Sequence, residues 1–185
     1  MLFERRYAGL RRGADPEHAQ HLVEEGLRWR DTPREVAEAA DIIFTSITND
    51  GVLEAVGSGP DGILDGLAAG KIWVDLSTVS PRASRDMAER VPARGAAMLD
   101  APVSGSVPQV RAGTLTIMVG GVEEAYARVE PALRVLGTPT RIGENGQRLA
   151  LKLASTSAWP SRWSRSRRAC SWPSATAWTG SWPAP

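Results

Sequence analysis

The sequence predicts an α/β fold built on a parallel sheet, and three observations carry that expectation. From residue 15 to about residue 136, helix-like and strand-like segments alternate, which is the order of a layered α/β domain. Two of the strand-like segments, DIIFTSI at 41–47 and KIWVDL at 71–76, are near-continuous apolar runs, as strands covered on both faces require. The helical segments carry their own start and stop signals. A chain of 185 residues can bury a real core, and a hydrophobic content of 42% is ordinary for a globular protein.

Taken in order, Glu17 to Glu25 reads as a helix closed by Gly26. Asp31 or Thr32 suits the cap of the next helix, with Pro33 in its first turn and Glu35 placed for a capping box. The strands at Asp41–Ile47 and Lys71–Leu76 follow. Ser80-Pro81 opens a helix reaching about Val91, and AAMLDA at 96–101 gives a further strand. This strand runs into Pro102-Val103-Ser104-Gly105-Ser106, a turn whose Gly and Ser let backbone N–H groups converge on an anion. A second apolar run, Thr114 to Val119, stops at Gly120-Gly121, and Glu123 to Leu136 is an amphipathic helix.

Composition narrows the function. A net charge of +1, with no basic block before the tail, implies neither nucleic acid nor an acidic surface as partner. One cysteine, Cys170, builds no disulfide framework and fits a reducing compartment. The start, MLFERRYAGLRRG, has no apolar signal core, and no run approaches the ~20 apolar residues of a membrane helix; the expected location is cytoplasmic, with no membrane partner. His18 and His21 are three apart on one helix, a pair that reads as part of a solvated helix face rather than a ligand set, so no metal is expected.

Three ordered motifs then stand out: DAPVSG at 100–105, GTLTIMVGG at 113–121, and Gly143, Gly146 and Lys152 in the spacing GxxGxxxxxK. Together they resemble the β-hydroxyacid dehydrogenase family over roughly Asp15 to Ala154. The resemblance implies NAD or NADP as cofactor and a small hydroxy acid, or its semialdehyde, as substrate. It makes Lys152 the general acid/base toward the substrate oxygen, a role suited to an ammonium whose pKa burial can lower. Ser104, Gly105 and Ser106 would form the substrate-binding turn, with Ser104 and Gly105 on the carboxylate and Ser106 at a position that is usually glycine. Thr78 would lie beside the nicotinamide ribose, and Ile47-Thr48 match the Leu-Pro pair after the fourth strand. Both stretches also read as plain loop chemistry, with Ser80 or Thr78 as a helix cap. Asp100 reads as a turn-stabilising carboxylate rather than an acid/base. The sequence departs from the family at Arg148, usually Gly, and at Ser155 and Thr156, which replace Asn-Asn.

Two regions depart further. A dinucleotide-binding domain opens with a strand running into G-x-G-x-x-G, and no strand-like run of the sequence leads directly into such a motif. The expected fold is therefore an incomplete Rossmann-like parallel sheet lacking the first strand and its Gly-rich loop, truncated at both ends relative to the family. It divides into an unmatched segment (1–14), a partial NAD(P)-binding domain (15–142), the start of an interdomain helix (143–154) and a disordered tail (155–185). The tail holds five of the seven Trp, eight Ser, four Pro and four Arg, with no Leu, Ile, Val, Asp or Glu, so it carries no apolar stripe. A shifted reading frame turns each Trp codon into one for Leu, Met or Val, and the Pro of Trp159-Pro160, Trp172-Pro173 and Trp182-Pro183 into Ala; the tail is expected to be such a misread helix. On this reading the chain is expected to hold cofactor poorly, to turn over no substrate and to lack dimerisation through a helical domain. Two other classes stay open: a non-enzymatic remnant, and a single-strand binder using Trp163, Arg165, Arg167 and Arg168.

Overall fold

The computed structural model describes residues 8–9, 23–24 and 26–145. These lie in one compact unit of residues 1–150; residues 151–185 form a second unit, outside the described residues. Of the first expected helix, Val23 and Glu24 are helical and the chain leaves it at Gly26, whose φ is +102°.

Two short strands, β1 (Ala8–Gly9) and β2 (Arg28–Trp29), pair in parallel as a separate sheet. Helix α1 (Pro33–Ala39) begins where its signals place it: the Thr32 side chain accepts from Glu35 N, and the Glu35 carboxylate accepts from Asp31 N. Its last turn carries no basic residue. Lys71 takes that part from across the fold, its Nζ donating to the carbonyls of Ala37 (2.7 Å), Glu38 (3.0 Å) and Ala40 (2.7 Å).

The main sheet starts with β3 (Ile42–Thr45), β4 (Ile72–Asp75) and β5 (Ala97–Asp100), paired in parallel so that Thr45, Asp75 and Asp100 share one rung at the carboxyl ends. Helices α2 (Asp50–Ser58) and α3 (Ile63–Gly66) connect β3 to β4, and α4 (Pro81–Arg90) connects β4 to β5. All four residues of β4 are buried, the signature of a strand covered on both faces. On one face Ile43, Trp73 and Met98 pack with Leu53, Val56 and Met87. On the other, Ile72, Val74 and Leu99 meet Ala125, Val129 and Leu133. Side chains as large as Trp73 and Leu133, fully enclosed, each stabilise the fold by roughly 1.5–3 kcal/mol.

The rest of the sheet is mixed rather than parallel. After β5 the chain makes β6 (Val103–Ser104), a short helix α5 (Val107–Ala112) and β7 (Leu115–Gly120). Strand β7 runs antiparallel to both β5 and β6, because β6 and β7 are the arms of a hairpin with α5 in its loop. Helix α6 (Glu123–Leu136), which falls where the periodicity places it, then crosses over to β8 (Gly137–Gly143), parallel to β7. The apolar-run criterion passes over β8, since Thr138, Pro139 and Arg141 interrupt it and only Pro139 is buried. Among the described residues, β3 pairs with β4 alone, and Phe44 on its outer part is 41% exposed. No helix of the described residues is long and apolar enough to cross a membrane, and none of them form a cluster able to hold a metal.

Candidate functional site

Three loops leave the carboxyl ends of the adjacent parallel strands β3, β4 and β5, the rim where open α/β sheets bind ligands. The loop after β3 carries Ile47, half-buried, and Thr48, exposed; the loop after β4 carries Thr78, exposed; the loop after β5 leads to Ser104, Gly105 and Ser106, all exposed. The candidate residues that lie within the described chain thus follow the same sheet edge. Lys152, with Gly146, Arg148, Ser155 and Thr156, lies outside the described residues, as do His18, His21, Cys170, Trp163, Arg165, Arg167, Arg168 and the whole tail.

The loop after β5 has one position that only glycine fits. Gly105 has φ +149°, and a Cβ there would lie 2.6 Å from Leu115 Cδ2 and 3.1 Å from Gln109 Cβ. Ser104 sits in β6 opposite Thr116. Ser106 is the N-cap of α5: the Gln109 Oε1 accepts from its backbone N–H (3.0 Å) and from its hydroxyl (2.6 Å). Its hydroxyl therefore holds the helix that closes the loop.

Beneath the rim lies a chain of hydrogen bonds that reading the sequence does not single out. Trp73 Nε1 donates to Thr45 Oγ1 (2.9 Å), and that hydroxyl donates to Asp75 Oδ1 (2.8 Å). The Ser77 hydroxyl donates to the same oxygen (2.5 Å), as does its backbone N–H (3.3 Å), while Ser77 Oγ accepts from Ile47 N (2.8 Å). Asp75 is 1% exposed, and burial pushes its carboxyl above the usual range against the opposing pull of the Ser77 and Thr45 donors. A second tie runs at the surface, where Asp50 Oδ1 accepts from Ser80 N (2.8 Å) and the Ser80 contacts hold the Asp50 carboxyl below its ordinary value. Ser80 also caps α4 by accepting from Ala83 N, which decides the cap between Ser80 and Thr78. The available signal was the polar residue ending each apolar run, Thr45, Asp75 and Asp100, which a reading by hydrophobicity treats as mere strand ends. Asp100 is buried at the end of β5, and its Oδ1 occupies the place a Cβ on Gly120 would need. That position explains the glycine at the close of β7 and fits a structural carboxylate.

Comparison with known proteins gives a consistent picture. Residues 12–154 match the family model for the NAD binding domain of 6-phosphogluconate dehydrogenase. The chain is 40% identical over 135 residues to 2-(hydroxymethyl)glutarate dehydrogenase of Eubacterium barkeri, covering 72% of this chain and 45% of that one. It is 39% identical over 138 residues to 2-hydroxy-3-oxopropionate reductase of Escherichia coli K12, covering 74% and 47%. Among solved structures, Psf3 in complex with NADP+ and 2-OPP superposes with a TM-score of 0.72 at 32% identity, over 76% of this chain and 50% of that one. The chain therefore spans about half the length of the relatives it matches.

Proposed function

Because the chain belongs to the β-hydroxyacid dehydrogenase family, we propose that it supplies the nicotinamide side and the carboxylate loop of an NAD(P)-dependent oxidoreductase acting on a small 3-hydroxy acid or its semialdehyde. The observation that carries this reading is the convergence of Ile47-Thr48, Thr78 and Ser104-Gly105 on the carboxyl ends of three adjacent parallel strands. The residues fit such a cofactor. Ile47 offers a half-buried apolar face to a nicotinamide ring, and Thr48 and Thr78 expose hydroxyls to a ribose or carboxamide. The cofactor, when bound, supplies the site that gives or accepts a hydride.

The chain's own residues do the rest. Ser104 and the backbone N–H at Gly105 orient the substrate through its carboxylate, and orientation is what makes the transfer effectively unimolecular. Lys152 gives a proton to the substrate oxygen in the reducing direction and removes it in the other. The G-x-G-x-x-G at Gly57–Gly62 begins in the last turn of helix α2 rather than after a strand, so it offers no pyrophosphate cradle at a helix N-terminus, and these 185 residues by themselves hold the dinucleotide weakly and give no useful turnover.

Titration of the purified chain with NADH and NADPH, followed by nicotinamide fluorescence and by two-dimensional NMR, tests both parts. We expect only millimolar binding, with backbone amide shifts concentrated at Thr48 and Thr78. Micromolar affinity would overturn the weak-binding statement. Shifts that avoid both threonines would overturn the site.

A further inference from the structure

We propose that Ser77 is a positioning residue: its hydroxyl, anchored on the buried Asp75 carboxylate, fixes the backbone at Ile47 and so locks the loop after β3 to the loop after β4. The inference rests on the reading of these two loops as the cofactor side of the site. It is carried by an arrangement that no packing requirement demands. Ser77 is 4% exposed, and its Oγ uses both of its capacities at once, donating to Asp75 Oδ1 at 2.5 Å and accepting from Ile47 N at 2.8 Å. The Ile47 N–H lies beyond the last residue of β3, where no ladder partner from β4 reaches it; the strand pairing ends at Thr45 and Asp75. Without the serine hydroxyl that donor would have to turn toward solvent, taking Ile47 and Thr48 with it.

The anchor is itself held in place. Asp75 Oδ1 also accepts from Thr45 Oγ1, which in turn accepts from the indole of Trp73, a side chain with no exposed surface. Five groups from two strands and two loops thus form one chain from the core to the rim: Trp73, Thr45, Asp75, Ser77 and Ile47. Each member polarises the next, so the loop inherits the rigidity of the sheet. Ser77 immediately precedes Thr78, so the same residue sets where the candidate ribose contact begins. A site that must place a nicotinamide face gains from having its two walls fixed relative to each other before ligand arrives.

Amide exchange on the full 185-residue chain tests this. Replacing Ser77→Ala should speed exchange at the Ile47 amide about tenfold, the loss of roughly one local hydrogen bond, while amides in β4 and α6 keep their rates. Ser77→Thr, which retains the hydroxyl, should restore protection, a rescue that a purely steric role would not give. If Ser77→Ala fails to fold, Ser77→Cys, of similar size but with a weak thiol, serves the same comparison. Unchanged exchange at Ile47 in the folded hydroxyl-free variant, or no rescue by threonine, overturns the proposal. Millimolar NADPH provides the second readout: shifts at Thr48 and Thr78 should be lost in the alanine variant and present in the threonine variant, and their persistence in alanine overturns the proposal. Absence of those shifts in the unaltered chain refutes the cofactor reading instead, and exchange at Ile47 then decides the tie by itself.

Discussion

Replacing Lys71→Met removes a cation from the carboxyl end of α1 while keeping a stem of similar length. Lys71 sits one residue before β4, and its ammonium donates to the carbonyls of Ala37, Glu38 and Ala40 at 2.7, 3.0 and 2.7 Å. Those carbonyls belong to the last turn of α1 and its cap, which have no acceptor-satisfying basic residue of their own. A hydrogen bond to a charged group contributes about 1.5–3 kcal/mol, and a cation at a helix end adds about 0.3–1 kcal/mol. Water can replace the bond to the exposed Glu38 carbonyl and part of the others, so the net loss should be about 2 kcal/mol rather than the sum. For a unit of this size that corresponds to a fall in Tm of about 5–8 °C. Thermal unfolding followed by circular dichroism is the assay. A shift below about 1 °C would show that the three contacts are not formed in solution and that α1 is held by its buried face alone.

Two further outcomes follow from the site. Gly105→Ala should destabilise the chain by about 1–3 kcal/mol, because a side chain at φ +149° must also displace Leu115; unchanged Tm and unchanged amide shifts at Ser104 and Thr116 would refute the loop geometry. Asp75 sets a pH dependence. Its folded pKa is raised above the unfolded value by burial, so its contribution to stability is fully present below the unfolded pKa and is lost as pH rises through the folded one. The stability of the unaltered chain minus that of Asp75→Asn should therefore fall as pH rises from about 4 and level off above the folded pKa, and a difference that is flat or rises over that window would count against it.

The elements legible in the sequence are those where one local signal dominates. Thr32, Ser80 and the Pro after each mark helix starts that the structure keeps, and the runs IIFT and IWVD read as strands because they are short and almost wholly apolar, although IWVD is covered on both faces and IIFT leaves Phe44 exposed. Strand β8 escapes because three of its seven residues are exposed and a proline stands third in it. The antiparallel turn of β7 escapes because strand direction is set by a hairpin whose arm β6 is two residues long. At the site, the glycine-serine loop was visible as a motif, whereas Ser77 was not. Its importance lies in meeting Ile47 across thirty residues of sequence, and no local pattern records that meeting.

The rung formed by Thr45, Asp75 and Asp100 bears also on how the strands find one another. Sliding β4 by two residues against β3 would keep every side chain on its present face and leave the apolar runs equally content, so hydrophobicity alone barely distinguishes the two alignments. In the slipped alignment Asp75 would stand beside Ile43 instead of Thr45, and its carboxylate would enter the core without the threonine hydroxyl. An abandoned buried acceptor costs about 1–3 kcal/mol, more if it is charged. The polar end of each strand therefore serves as an alignment mark, one that tells three otherwise interchangeable apolar ribbons where to stop.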